Sequence, residues 1–144
     1  MLGFRLWHRF VKFGCESNFY FVIYRLGSRV SLREKFKEIG ILTFASQYIY
    51  ENLVYVKKNI HLFEKNCDIH SINTRNGNKL LFPQTRLTKV AKSFRGQCVL
   101  YYNKVPEDIQ NLTTQNFKNV IKMKLCEKSY YNVDEFLNDR NPWN

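Results

Sequence analysis

Apolar positions recur along this chain at helical spacing, broken by residues that end helices or build turns. Phe4, Trp7, Phe10 and Val11 keep that spacing, and the aromatic and β-branched run from Phe19 to Leu26 reads as either a strand or a buried helix. Ser31-Leu-Arg-Glu34 has the form of a capping box, in which the Ser31 hydroxyl takes a free N–H of the first turn and Glu34 reaches back to the cap. Leu32, Phe36 and Ile39 then keep to i, i+4, i+7, and Gly40 stands where a left-handed residue closes a helix. A second helix is predicted from about Ser46. Ile49, Leu53, Val56 and Ile60 form its stripe, Glu51 and Asn52 point elsewhere, and the dipole favours Lys57 and Lys58 at its end.

The pattern changes after Cys67. Asn76-Gly77 lies between two apolar stretches and marks a turn or hairpin tip, with Leu80, Leu81 and Phe82 starting a return strand that Pro83 ends or confines to an edge. Val99 to Tyr102 is a second short apolar run. Pro106 then suits the first turn of a helix, and Glu107 and Asp108 suit its dipole. Thr113 or Thr114 caps a longer helix carrying Phe117, Val120, Ile121 and Leu125, whose other face holds Lys118, Lys122 and Lys124. Asn132-Val-Asp-Glu135 opens a last short helix through Leu137, and the polar end from Asn138 to Asn144 is expected to fray. The fold class expected is mainly α: a small helical domain with a short β-hairpin or irregular central segment.

Composition sharpens this. The 144 residues are 44% hydrophobic and 16% aromatic, enough to build one core and too few for two enzyme domains. Most of the aromatics are expected in that core, with Tyr48, Tyr50 and Tyr55 the ones partly exposed. The best apolar run is six residues, well short of the roughly 20 a membrane helix needs, so no membrane partner is expected. Cys15, Cys67, Cys98 and Cys126 show no paired spacing, and the opening residues lack the pattern of a secretory leader. The cysteines are therefore read as reduced intracellular thiols.

Charge carries the functional signal. Lys plus Arg number 23 against 12 acids, a net charge of +11, which favours a polyanionic partner. The sharper feature is where acids are missing. Between Asp68 and Glu107 there is no carboxylate in 38 residues, while Arg75, Lys79, Arg86, Lys89, Lys92, Arg95 and Lys104 all fall inside, with Phe94, Tyr101 and Tyr102 among them. Phosphates repel carboxylates and are gripped by Arg and Lys, so such an interval suits a surface that tracks a nucleic-acid backbone.

Catalytic chemistry finds less support. His61, Cys67, His70 and Cys98 carry zinc-type ligand atoms, but at a spacing that matches no common finger, so no metal is expected there. His8, in an aromatic stretch, reads as partly buried. Paired-metal catalysis needs clustered carboxylates. The aspartates are Asp68, Asp108, Asp134 and Asp139, and Asp134-Glu135 is explained by a helix start. No Gly-rich phosphate loop or Gly-x-Ser-x-Gly elbow is present. No catalytic residue and no cofactor are therefore expected, and a small metal-dependent nuclease is the weakest reading.

Several stretches taken in order resemble a known family. The run Ser28-Arg-Val-Ser-Leu-Arg-Glu-Lys-Phe-Lys-Glu-Ile-Gly-Ile-Leu-Thr-Phe44, continuing into Tyr48-Ile-Tyr-Glu51 and Val56-Lys-Lys-Asn59, resembles the segment after the polymerase core in Jockey-type non-LTR retrotransposon reverse transcriptases of insects. His70-Ser-Ile-Asn-Thr-Arg75 is similar to that family's His-x-x-Asn-Thr-Arg stretch. Arg86-Leu with Ser93-Phe94 resembles its basic segment, and Tyr102-Asn-Lys-Val-Pro106 its Trp-Asn-x-Leu-Pro motif. Phe117-Lys, Leu125 and Tyr130 through Leu137 resemble its closing helices. Leu32, Ala45, Ile72 and Tyr102 depart from it, standing where Cys, Pro, Tyr and Trp are usual.

The resemblance covers about Ser28 to Leu137 and implies a thumb and post-thumb segment. The chain is accordingly expected to divide into residues 1–65, a helical thumb-like segment, 66–106, a basic hairpin or loop segment, and 107–144, C-terminal helices, in one compact unit, with Met1 to Gly27 matching the family less well. The family's polymerase carboxylates lie upstream, so the implied role is to hold RNA or DNA template and primer by the phosphate backbone while an upstream polymerase domain does the chemistry. The phosphate-contacting residues expected are Arg29, Arg33 and Lys37 near the first short helix, and Arg75, Lys79, Arg86, Lys89, Lys92 and Arg95 along the centre. An intracellular, nuclear location follows from that role. The alternative is a structural or protein-interaction module derived from the same element.

Overall fold

Two features of the chain set its first turn-around: a glycine free to take positive φ, and a threonine three residues later able to cap. The computed structural model describes residues 32–69, 76–82 and 88–143. The expectations for Phe4 to Leu26, His8, Arg29, Ser31, His70, Arg75, Pro83 and Arg86 lie outside them. Helix α1 runs Arg33–Ile39 and ends at Gly40 with φ 70°. Gly40 N–H donates to the Lys37 carbonyl and Ile41 N–H to that of Phe36, both at 3.1 Å, the paired closure that needs a left-handed residue at this position. Thr43 then caps α2, Phe44–Lys58, accepting from Ser46 N–H, while its own hydroxyl donates to the Tyr130 carbonyl.

α2 is the centre of the molecule. It packs most extensively against α5, Phe94–Tyr102, and α7, Thr114–Lys128. Between them come a 3₁₀ turn at Ile60–Leu62, the one-turn helices α3, Asn66–Ile69, and α4, Thr88–Ala91, and α6, Glu107–Gln110; α8, Val133–Asn138, closes the described elements. Of the predicted stripe, Ile49, Leu53 and Val56 are fully buried while Ile60 lies past the helix end in the 3₁₀ turn and is partly buried; Phe117, Ile121 and Leu125 answer the stripe from α7. Cys98, Val99, Tyr101 and Tyr102 complete the centre from α5. The domain is mainly helical, as expected.

The Asn-Gly turn returns the chain against residues 64–67. Asn66 N–H donates to the Lys79 carbonyl, Cys67 N–H to that of Gly77 and Leu81 N–H to that of Glu64, with a single antiparallel bridge at Lys65–Leu80. Asn103 then acts as a surrogate strand: its side chain accepts from Leu80 N–H and donates to the Leu80 carbonyl, both at 2.9 Å. The apolar run Val99–Tyr102 is the end of α5, so the interval expected as hairpin and loop also supplies a central helix.

Three further expectations need correction. Asn52 is 1% exposed rather than turned away from the core. Its amide donates to the Tyr48 carbonyl and its oxygen lies 3.1 Å from Cys98 Sγ, so its polar atoms are satisfied at the α2–α5 contact. The stripe on α1 is buried only at Leu32, with Ile39 39% exposed, because this short helix touches the edge of α7 rather than the core. The C-terminal end is fastened where fraying was expected. Trp143 is 7% exposed, stacks edge-to-face on Phe136 at 5.7 Å and donates from Nε1 to the Lys104 carbonyl at 2.7 Å. An indole this well partnered outweighs the entropy of a few ordered polar residues.

Candidate nucleic-acid interface

The cations that the sequence marks out divide by what the folded chain does with them. Lys104 is structural. It follows α5 immediately, and its ammonium donates to the carbonyls of Phe136, Leu137 and Asp139 at 2.7 to 2.8 Å, over the Phe136 ring. These carbonyls are at the end of α8, where a helix leaves acceptors unpartnered and its dipole favours a cation. Burial lowers the Lys104 pKa, and Asp139 opposes that. Lys57 has a similar use, donating to the Gln110 carbonyl and lying over Phe117. Lys104, which lies in the acid-free interval but outside the expected phosphate-contacting set, is thus taken up by the fold.

Arg33 is also engaged within the fold. Its guanidinium pairs with Glu135 at 3.1 Å and lies 4.9 Å from the centre of the Tyr131 ring, tying α1 to α8. The Tyr131 N–H and Arg33 hold the Glu135 carboxyl below its ordinary value. Lys37 reaches Glu34 at 3.8 Å on its own helix and lines an open groove with Gly40, Asn119, Lys122, Met123, Cys126 and Glu127. Arg33 and Lys37 thus both have carboxylate partners. Lys79 sits in the bridged turn, where Asn78 donates to Glu107 at 3.3 Å. The acid-free interval is therefore not acid-free in space at this end.

The other end of the interval differs. Lys89, Lys92 and Arg95 are exposed on α4, its following turn and α5, and among the described residues none of them forms an ion pair with a carboxylate. Ser93 opens α5 by accepting from Gly96 N–H at 3.3 Å, which fixes Phe94 and Arg95 in the first turn. Arg95 donates to the Leu62 carbonyl at 3.0 Å and lies over Phe63, 5.6 Å from its centre. Phe63 meets Tyr55 edge-on at 6.5 Å, and Tyr55 meets Phe94 at 5.1 Å. Tyr55 and Phe94 are 39% and 43% exposed. Of the three aromatics the sequence singles out beside these cations, Tyr101 and Tyr102 are core residues at 0% and 4%, so only Phe94 lies at the surface.

Sequence reasoning had no signal for Arg33–Glu135, a pair 102 residues apart, nor for Lys104 meeting α8. It did carry one for the aromatic edge: Tyr55 lies one position off the buried stripe of α2.

Several of the described acids have partners within the fold. Asp68 accepts from Lys65 N–H, Asp134 and Glu135 lie in the first turn of α8, and Asp139 accepts from the Tyr130 hydroxyl, which holds its carboxyl low. Cys98 is fully buried, and burial pushes its thiol up to about 12, while His61 and Cys67 are exposed. Among the described residues no three His, Cys, Asp or Glu side chains gather as metal ligands would, and no helix is long and apolar enough to cross a membrane. The fold and this edge describe a small basic helical domain that carries, among its described residues, an aromatic and cationic edge at Tyr55, Phe94 and Arg95. No protein-family model matches the chain, and neither the curated proteins nor the solved structures include a significant match.

Proposed function

We propose that this domain is a nucleic-acid-binding module without chemistry of its own, related to the segment that follows the polymerase core in non-LTR retrotransposon reverse transcriptases, and that it grips RNA or DNA by phosphate. The observation that carries this reading is the set Lys89, Lys92 and Arg95: exposed, free of carboxylate ion pairs among the described residues, and set in an interval with no acid of its own. Arg33 and Lys104 hold the scaffold instead. Lys79 is exposed at the far end of the same interval, and Arg75 and Arg86 belong to it by sequence. An upstream polymerase domain is the partner the resemblance implies.

The test is binding to RNA, DNA and hybrid duplex across a salt series. Each duplex phosphate neutralised contributes a log–log slope near −0.9, so four to six contacts give roughly −4 to −5. A flat dependence overturns the reading. A protein-interaction module is the second reading, and one observation favours it: Met123, 52% exposed, lies in the open groove between α1 and α7. Sedimentation that finds a stable dimer with no affinity for nucleic acid would put that reading first.

A further inference from the structure

The aromatic edge beside Lys89, Lys92 and Arg95 narrows the class of ligand. This step rests on the function proposed above. Of the large aromatics in the described chain, Phe44 and Tyr131 are exposed at 52% and 47%, whereas Tyr101, Phe117 and Phe136 are completely buried. Tyr55 and Phe94 are not, although they belong to α2 and α5, the two helices that build the centre. Their position is fixed rather than casual, because the rings of Phe63, Tyr55 and Phe94 brace one another edge-on and Arg95 is pinned by both the Phe63 ring and the Leu62 carbonyl. Rigid rings left at a surface expose π faces that water solvates poorly and that a planar ligand can cover.

The charges around the rings decide which ligand. Lys92 and Arg95 flank Phe94 in the chain, Lys89 precedes them by one turn, and Lys58, exposed at the end of α2, lies three residues beyond Tyr55 on the same helix face. A flat group that stacks on Phe94 or Tyr55 would thus meet positive charge on both sides. An acidic protein segment could use the cations, but it would leave the ring faces without a planar partner. Unpaired nucleotides use both features, since every base has a π face and every link a phosphate. A duplex uses only the second, because its base faces are stacked internally.

We infer that Phe94 and Tyr55 form a stacking platform for unpaired bases, with Lys89, Lys92 and Arg95 holding the adjoining phosphates. The edge therefore selects single-stranded RNA or DNA over duplex.

The experiment measures binding of the whole chain to oligouridylate and oligodeoxythymidylate of about twelve nucleotides, within the site sizes such surfaces cover, and to duplexes of equal length, by fluorescence anisotropy at several salt concentrations. Single strands should bind at least roughly ten-fold tighter than duplex. Phe94→Ala should weaken single-strand binding roughly 10- to 100-fold, as removal of a stacked aromatic ordinarily does. Phe94→Leu keeps apolar bulk and should keep the fold by circular dichroism, yet lose most of that affinity, while Phe94→Trp should restore it. The RNA and DNA arms show which sugar is accepted. Equal affinity for single strand and duplex, or Phe94→Leu binding as the parent does, overturns the platform while a steep salt dependence leaves the phosphate-binding function standing. Absence of binding to every probe removes both, and a dimer sedimenting through this edge would reassign it to protein contact.

Discussion

Lys104 and Lys92 lie in the same acid-free interval, and the protein puts them to opposite uses. Around Lys104 the polar groups pair with one another: the ammonium holds three carbonyls at the end of α8, the Lys104 carbonyl accepts from Trp143, and Arg33, Lys128 and Tyr130 take up Glu135 and Asp139 nearby. Around Lys92 the cations face solvent beside exposed rings. The difference shows that positive charge in a basic protein has a function only relative to what surrounds it. A lysine among unpartnered carbonyls is a clasp, and a lysine among bare rings without an acid is free for an outside anion.

Perturbing each region separately should break that comparison if it is wrong. The largest effect is expected from Phe136→Ala at the clasp, where a fully buried ring touching Tyr101, Tyr130 and Trp143 is removed. It should cost about 3–5 kcal/mol in a urea unfolding titration. Lys104→Met keeps much of the stem but strands three carbonyls, and should cost about 2–3 kcal/mol by the same measurement, from the loss of charge-assisted hydrogen bonds. Because Lys104 lies outside the binding edge, the nucleic-acid affinity of its folded fraction should match the parent's.

The edge should behave in reverse. Lys89→Gln with Lys92→Gln should leave unfolding within roughly 0.5 kcal/mol of the parent, the ordinary range for exposed substitutions, while the salt slope for duplex binding falls by roughly 1.8. A drop in stability of the size seen at Lys104 would erase the distinction between the two regions.

The smallest expected effect is acidic. Glu135 and Asp139 titrate below their ordinary values of 4.5 and 3.8 in the folded chain, the first chiefly through the Tyr131 N–H and the second through the Tyr130 hydroxyl. On acidification the unfolded chain therefore takes up protons first. The stability these groups contribute is complete above their ordinary values and is lost as pH falls through the lowered folded ones. The melting temperature should fall over that window, and Glu135→Gln should make the fall shallower. An unchanged profile would show that the clasp owes nothing to its acids.

Particular residues show how far the sequence could be read. Gly40, Thr113 and Asn132 act within three residues of themselves, through a left-handed turn or a cap, and such signals survive in a linear pattern, whereas the Thr43 cap, ahead of the helix start expected at about Ser46, is not legible in it. The stripe of α2 was legible for the same reason. Asn52 and Lys104 were not. Both are polar residues whose partners, Cys98 and the end of α8, lie tens of residues away, and hydropathy assigns such residues to solvent by default.

By itself, the sequence determined that this chain would be mainly helical, where α1 would close and α7 and α8 would be capped, and that it would carry a net charge of +11, because caps, periodicity and net charge are local or additive. Which cations would be left without a carboxylate ion pair among the described residues, that Phe94 would surface while Tyr101 and Tyr102 were buried, and that the polar C-terminal end would be nailed down by Trp143 were decided only in three dimensions. Those outcomes depend on which distant groups meet, and a lysine's partner is chosen by packing rather than by its neighbours in the chain.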